Sequence, residues 1–195
     1  DYLQPYLLKE VGGVRVGVVG IVVRGKTMNS SRPLASTAFL PEVATAQRYI
    51  DELRELGVRH VVLVTHHGYE ADTAMAAQLT GVDVIIGGDS HTLLGDFSQL
   101  GLGSSSGPYP TLAQNRDGEP VCVAQAWEYA KAFGLLKVRF DENGRVVACS
   151  GEVALPIGDG FRQKDATGAF AAVDAATRSR ILARLASTGG VRVVT

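Results

Sequence analysis

The most constraining feature of this sequence is a set of three short apolar segments, separated by two segments with helical periodicity. The apolar segments span residues 14–23, 58–64 and 82–86, and all three are rich in β-branched residues. Such runs are typical of strands that are buried on both faces. Between them, apolar residues recur every three or four positions in residues 41–57 and from about 70 to 79. This alternation predicts a βαβαβ unit with a parallel sheet in an α/β domain.

The pattern changes after residue 87, where strand-like segments follow one another without helical segments between them. Residues 95–120 are rich in Gly, Ser and Pro, and they predict a long loop. Three strands are expected after that loop, at about 121–127, 133–140 and 145–154. Asp-Glu-Asn-Gly at 141–144 is typical of a hairpin turn. We therefore predict an antiparallel second half, followed by a helix from about 165 to 187.

The composition indicates a folded domain and argues against two classes of protein. Apolar residues make up 46% of the 195 residues, which is enough for a sizeable buried core and excludes general disorder. Nineteen Lys and Arg residues against 20 Asp and Glu residues argue against a nucleic-acid-binding module held by bulk charge. No apolar run approaches the roughly 20 residues that a membrane-spanning helix needs.

The chain has two cysteines, Cys122 and Cys149, which are too few for a disulfide framework. Both lie in strand-like segments. The sequence therefore favours two buried free thiols, with a disulfide as the less favoured alternative.

Three of the four histidines follow predicted strands. His66 and His67 come directly after the second apolar strand, and His91 follows the third. In open α/β sheets, ligands bind outside the carboxyl ends of the strands, so these segments are expected to line one crevice. We expect only one of the adjacent His66 and His67 to face that crevice.

The segment after the third strand suggests half of a metal site. In an extended chain, Asp89 and His91 would point the same way and Ser90 the opposite way. An imidazole beside a carboxylate suits Zn, Mn or Fe. A bound divalent ion would lower the pKa of a water molecule and polarise a phosphoryl oxygen.

Simpler interpretations of these residues remain open. His66 would equally suit a helix cap or a hydrogen bond to a loop carbonyl. A catalytic triad within Asp89-Ser90-His91 is disfavoured, because near neighbours in sequence do not converge as triad members do. His60 lies within a strand and is expected to be a core or edge residue.

Two further clusters have structural explanations. Trp127 and Tyr129 are expected to line the core or a groove, with a place at the rim of the active site as the alternative. The glycines at positions 12, 13, 17 and 20 do not form a dinucleotide-binding loop, because they lie before or inside a strand and no helix is expected to follow it. Close backbone packing explains them better.

Four segments of the chain together resemble the 5′-nucleotidase family of calcineurin-like metallophosphoesterases. These segments are PYLLKEVGGVRVGVVGIV, THHGYEAD, GVDVIIGGDSHTLLG and PVCVAQAWEYAKAFGLLKVRFDENG. The resemblance implies a partial four-layer αββα sandwich and a hydrolase that uses two divalent metal ions, Zn, Mn or similar, to cleave nucleotide phosphomonoesters. By the same resemblance, His66 and His91 fall on metal ligands, and Asp89 falls where most members have a histidine ligand.

In the family, Asp-x-His, Gly-Asp and Gly-Asn-His-Glu segments precede these blocks, and the four residues before the first block contain none of them. The resemblance therefore implies that residues 1–158 are the back half of a catalytic domain, without catalytic residues of their own. Residues 159–195 would be a helical extension towards an absent C-terminal substrate domain.

This placement carries several expectations about the protein. The isolated chain should be inactive, and its exposed sheet should need either the missing N-terminal segment of the same protein or self-association. The parent protein should be periplasmic or extracellular and should act on a nucleotide. Two alternatives remain: a non-catalytic metal-binding or structural domain of the same fold, and a nucleotide-sugar or dinucleotide pyrophosphatase.

Overall fold

The centre of the fold is a six-stranded sheet. In this computed structural model, residues 4–98, 102, 106–158, 160–187 and 191–193 are described. The strands of the sheet are β1 (Tyr6–Val11), β2 (Val14–Val22), β3 (His60–His66), β4 (Val84–Ile86), β5 (Thr111–Gln114) and β6 (Pro120–Ala124). Their order is β1-β2-β3-β4-β6-β5. Strands β2, β3, β4 and β6 are parallel, while β1 and β5 are antiparallel edges. The predicted βαβαβ unit is confirmed.

Two helices, α2 (Glu42–Glu55) and α3 (Tyr69–Ala76), cover one face of this sheet. The other described helices are α1 (Arg24–Lys26), which a π-helical turn, Thr27–Ser31, follows, and α4 (Ala175–Ala186). Helix α1 lies directly after β2, where the sequence indicated no helix. Helix α2 begins after Pro41 and buries Ile50 and Leu53 against the sheet. A β-carbon at Gly17 would lie only 2.6 Å from Leu53 Cδ1. Close packing therefore explains Gly17, as predicted, because a side chain here would push the helix from the sheet. The same explanation is wrong for Gly12, Gly13 and Gly20, where a β-carbon would meet no atom within 4 Å.

A second, smaller sheet packs against the opposite face. It contains β7 (Phe133–Phe140), β8 (Val146–Ile157) and β11 (Val191–Val193), in the order β11-β8-β7. Strands β7 and β8 form the predicted antiparallel hairpin. Apolar side chains from this hairpin, including Leu136 and Val138, pack on Val84 and Cys122 of the first sheet. Helices on one side and a second sheet on the other make a partial α/β sandwich.

The prediction of two free thiols is wrong, because Cys122 and Cys149 form a disulfide. Cys122 lies on β6 and Cys149 on β8, and their Cα atoms are 5.8 Å apart. Each segment alone looks like an ordinary buried strand, and only the stacking of the two sheets brings the sulfur atoms together. The bond ties the two sheets to each other.

Three other predictions about the second half needed correction. Strand β6 is not part of an antiparallel sheet with the two later strands: it belongs to the first sheet, where it pairs in parallel with β4 and antiparallel with β5. The loop predicted for 95–120 contains β5 at its end, and residues 99–101 and 103–105 of it lie outside the described residues. The final helix begins at Ala175 rather than near 165, because a short hairpin, β9 (Arg162–Lys164) with β10 (Phe170–Ala172), precedes it. The division into 1–158 and 159–195 stays a prediction.

The first strand of the chain was missed by the sequence analysis. Strand β1 pairs antiparallel with β2 through a turn at Gly12 and Gly13, whose φ angles are +57° and +80°. Glycine adopts such positive angles without strain, which is why two consecutive glycines can close this hairpin.

Part of the first sheet is covered by neither helices nor the second sheet. On the face opposite the helices, β1 pairs Leu7 with Val18 and Val11 with Val14, so these side chains lie on one side. Leu7 is 51% exposed and Val11 is 66% exposed. Val64 of β3 is also exposed on this face. These strands therefore present an apolar surface to solvent.

Candidate functional site

The candidate site lies at the carboxyl ends of β2, β3 and β4. In β3, alternate side chains face opposite sides of the sheet. Thr65 is buried towards α3, where its Oγ1 donates to Asp72 Oδ2 at 2.8 Å. The next residue, His66, therefore emerges on the other face. Its Nε2 lies 3.2 Å from Asp89 Oδ1, on the segment after β4. The structure thus brings together two of the three predicted metal ligands.

A lysine that sequence reasoning missed completes this contact. Lys26 Nζ, at the end of α1, donates to the same Asp89 Oδ1 that faces His66. The ammonium group holds the pKa of the Asp89 carboxyl below its usual range, and His66 acts in the same direction. The available signal was the position of Lys26 just after β2, the third strand that ends at this edge.

The Asp89-Ser90-His91 segment is not extended, contrary to the geometry assumed from the sequence. Asp89 has φ +74° and His91 has φ +53°, both in the left-handed region that few residues other than glycine adopt. Ser90 Oγ accepts a hydrogen bond from Tyr69 N at 3.0 Å, at the start of α3. This hydrogen bond therefore links the left-handed segment to α3, the helix that follows β3 and His66.

Gln125, which follows β6, forms hydrogen bonds with the Asp89-Ser90-His91 segment and its neighbours. Its side chain is nearly fully buried. Its amide nitrogen donates to Gly88 O at 3.0 Å, and its amide oxygen accepts from Thr92 N and from Ser90 Oγ. One buried amide therefore bonds both sides of the left-handed segment. Such buried polar groups are stable only when they are paired, so the amide and the segment fix each other.

His91 pairs with a carboxylate on the loop after β6. Its Nδ1 lies 2.9 Å from Glu128 Oε2, and the Tyr129 ring makes an edge contact with the imidazole. Tyr129 is 78% exposed, so it lies at the rim of the site. Trp127 is instead half-buried and packs against the buried cluster of Phe97, Val153 and Leu155. Of the two interpretations offered for these aromatic residues, packing in the core therefore applies to Trp127 and a place at the rim of the site applies to Tyr129.

The neighbouring His67 belongs to a buried polar cluster. Its Nδ1 is 3.7 Å from Asp72 Oδ1, and both atoms are buried without a hydrogen-bond partner among the described residues. Burial raises the pKa of the Asp72 carboxyl to about 6. His67 also lines a cavity of about 550 Å³ together with Asp89 and Thr92. Both adjacent histidines thus contribute to the site region, where the sequence analysis expected only one.

His66 does not cap α3, contrary to one of the simpler interpretations. Gly68 occupies the N-cap position, and the N–H of Tyr69, the first helical residue, donates to Ser90 Oγ. His60 is half-buried between the sheets, and its ring centroid lies 4.2 Å from that of Phe140. Its pKa is lowered by burial, which fits a structural residue.

The side chains at this edge are of the types that bind divalent cations, but too few of them lie close together to form a complete metal site. An imidazole and a carboxylate are typical ligands of Zn and Mn, and the Lys26 ammonium shows that the Asp89 carboxylate accepts a positive charge here. Among the residues that the structure describes, however, no group of three or more His, Cys, Asp or Glu side chains could hold a metal ion.

Known proteins are similar to this chain in both sequence and fold. A probable 5′-nucleotidase of Treponema pallidum (strain Nichols) is 39% identical over 150 residues, which are 76% of this chain and 25% of that protein. The snake venom 5′-nucleotidase of Naja atra is 34% identical over 154 residues, 79% of this chain and 29% of that protein. The chain therefore spans between a quarter and a third of the length of these curated relatives. No protein-family model matches it.

Two solved structures share the fold of this chain. The Haemophilus influenzae NAD nucleotidase superposes with a TM-score of 0.86 at 29% identity, covering 97% of this chain and 38% of that one. The 5′-nucleotidase precursor of Thermus thermophilus has a TM-score of 0.73 at 38% identity, covering 95% of this chain and 34% of that one. Over the residues that align, this chain belongs to the 5′-nucleotidase family.

Proposed function

We propose that this chain supplies one wall of a metal-dependent centre that hydrolyses nucleotide phosphomonoesters. One observation carries the proposal: His66 and Asp89 come from two strand ends of a 5′-nucleotidase fold and meet at 3.2 Å. His66, Asp89 and His91 are the residues that would hold metal ions. Bound divalent ions would supply a water molecule of lowered pKa and polarise the phosphoryl oxygen.

The chain's own residues would act by binding and by orientation. Gln125 would keep Asp89 in its left-handed conformation, so that the carboxylate stays beside His66. The cavity lined by Asp89, Ser90 and Thr92 offers hydroxyl groups that can hydrogen-bond a phosphate. Lys26 would add a positive charge at the same edge, which favours an anionic substrate.

We infer that the remaining ligands come from polypeptide outside this chain. Two nearby donors do not complete the four-ligand or larger shell of a catalytic metal ion. The exposed apolar face of β1, β2 and β3 supports this inference, because an apolar sheet face of this kind is normally covered. Its occupant would be further polypeptide of the same protein, with self-association of this chain as the alternative. We therefore expect the chain alone to be inactive.

We further propose that the protein works in the periplasm or outside the cell. The Cys122–Cys149 disulfide supports this location, since such bonds persist mainly in oxidising compartments. A relative named a snake venom 5′-nucleotidase also supports a location outside the cell. None of the helices that the structure describes is both long and apolar enough to cross a membrane.

A second candidate is a pyrophosphatase that cleaves dinucleotides. The similarity to a NAD nucleotidase, with a TM-score of 0.86, favours it. A non-catalytic metal-binding or structural domain of the same fold is the third, and the lack of a three-ligand group among the described residues favours a structural domain.

The decisive test is hydrolysis by the longest polypeptide that carries this chain. With Mn²⁺ or Zn²⁺ present, we expect release of phosphate from AMP, and a loss of at least about 100-fold in kcat/KM for His66→Ala, Asp89→Ala and His91→Ala. NAD⁺ is the parallel substrate that identifies the second candidate. Equal activity in the three variants would refute the assignment of these residues.

Asp117→Asn is a matched control for the lost carboxylate. Asp117 is exposed in the turn before β6, at the amino end of that strand and thus at the opposite edge of the sheet. The 195-residue chain alone, assayed with AMP and p-nitrophenyl phosphate, should show no metal-dependent turnover. Turnover by that chain would contradict the inference about outside ligands.

A further inference from the structure

The loop after β6 and the segment after β4 form a coupled pair of unusual backbone conformations. Outside glycine, the described residues include six with positive φ, and five of them lie here: Asp89, His91, Trp127, Tyr129 and Ala130. Left-handed conformations in such residues persist only where the surroundings impose them. Their concentration in two loops that touch indicates that the loops determine each other's shape.

Direct contacts join the two loops. Trp127 N donates to Thr92 O at 3.0 Å, and Leu93 forms an antiparallel bridge with Ala126. Above these backbone contacts, Glu128 Oε2 faces His91 Nδ1 at 2.9 Å. Only a protonated Nδ1 can donate to a carboxylate at this distance.

Glu128 is itself held in place. Its other oxygen, Oε1, accepts from Lys131 Nζ at 2.5 Å, and the backbone of Lys131 donates to Glu128 O at 2.9 Å. The Lys131 ammonium also lies 5.1 Å from the Trp127 ring centroid. Lys131 therefore holds one carboxylate oxygen of Glu128, and the other oxygen faces His91.

We propose that Glu128 is a positioning residue that fixes His91 as its Nδ1–H tautomer and so leaves Nε2 as the nitrogen that binds a ligand. The carboxylate accepts a hydrogen bond from Nδ1–H, and the edge contact with Tyr129 restricts rotation of the ring. The role of Nε2 as a metal ligand rests on the proposed function, whereas the tautomer does not. Carboxylate partners of this kind orient metal-ligating histidines in many proteins.

The first measurement is the tautomer itself, in the chain without metal. The chain contains four histidines, so ¹⁵N-labelled imidazoles can be assigned by single substitution and read by long-range ¹H–¹⁵N NMR above the pH at which His91 is charged. We expect a predominant Nδ1–H form for His91 that is lost in Glu128→Ala and kept in Glu128→Gln, whose amide oxygen still accepts. Glu142→Gln, in the exposed hairpin turn, is the matched control and should change nothing.

The second measurement is calorimetric titration of the same proteins with Zn²⁺. We expect Glu128→Ala to weaken binding by about 10- to 100-fold, with Glu128→Gln in between. An Nε2–H form of His91 in the wild type, or an Nδ1–H form that survives in Glu128→Ala, would overturn the proposal. So would unchanged Zn²⁺ affinity in Glu128→Ala, if His91→Ala abolishes binding. A Glu128-dependent tautomer in a chain that does not bind Zn²⁺ would support the positioning role and count against the proposed function.

Discussion

His66 Nε2 and Asp89 Oδ1 lie 3.2 Å apart, although the two residues follow different strands. Strands β3 and β4 are adjacent and parallel, so the residues that leave their carboxyl ends are necessarily neighbours. The same carboxylate oxygen accepts from Lys26, which follows β2. Three consecutive strand ends therefore contribute to one small polar cluster.

The first prediction concerns the ionisation of Asp89. Replacing Lys26 with methionine should raise the pKa of the Asp89 carboxyl towards its ordinary value, because the ammonium is the main group that lowers it. Carboxyl ¹³C chemical shifts followed through a pH titration would measure this change. Arg24→Gln removes a nearby positive charge that has no described contact with Asp89, and should shift the titration less. Equal shifts in the two variants would show that general charge, not the contact, is responsible.

The same substitution should have little effect on stability. Lys26 is 55% exposed, and an exposed ion pair of this kind contributes less than about 1 kcal/mol. A loss of several kcal/mol in urea unfolding of Lys26→Met would contradict this expectation.

The second prediction concerns pH and stability. Burial raises the pKa of Asp72 to about 6, and also that of Asp83, which accepts from Val61 N. Between the ordinary value near 4 and the folded value near 6, the folded state binds more protons than the unfolded state. These two carboxyls therefore contribute stability that is fully present below about pH 4 and is lost as the pH rises to about 6.

The variant Asp72→Asn isolates one of these contributions, since asparagine does not ionise. From pH 4 to pH 7, the free energy of unfolding of the wild type should fall relative to the variant by up to about 3 kcal/mol. Urea unfolding at a series of pH values measures this difference. The exposed Asp117→Asn serves as the control. Parallel curves for the wild type and Asp72→Asn would show that Asp72 ionises normally.

The third prediction concerns the link between the two sheets. Replacing both Cys122 and Cys149 with alanine should lower the free energy of unfolding by roughly 3–4 kcal/mol, mainly because the unfolded chain is no longer closed into a loop. The sequence separation of the two cysteines is 27 residues. Chemical unfolding of the wild type with and without a reducing agent should show the same difference. Identical midpoints under the two conditions would mean that the bond does not form.

The fourth prediction uses two glycines of the same strand. Alanine at Gly17 would collide with Leu53, which is fully buried, and should cost about 1–3 kcal/mol of stability. Alanine at Gly20 meets no atom within 4 Å and should leave stability unchanged or slightly increased. Thermal unfolding of the two variants provides the comparison. A Gly17→Ala protein as stable as Gly20→Ala would show that α2 moves away freely.

The sequence by itself determined the βαβαβ order of β2, α2, β3, α3 and β4, because those elements have local periods. Residues 14–23 and 58–64 are continuous apolar runs, and 41–57 repeats every three to four positions, so each pattern can be recognised within one segment. Because parallel strands end at a common edge, this order also predicted that the segments carrying His66, Asp89 and His91 lie close together. Whether these residues hold a metal stays a prediction.

Tertiary structure alone decided the contacts within that edge. Lys26, Gln125 and Glu128 act on residues that are distant in sequence, and a single polar side chain in a loop has no period that marks its partner. The left-handed backbone of Asp89 is imposed by such contacts, and the Cys122–Cys149 bond by the stacking of the two sheets. Local patterns specify elements, whereas the contacts between loops depend on how the packed elements place them in space.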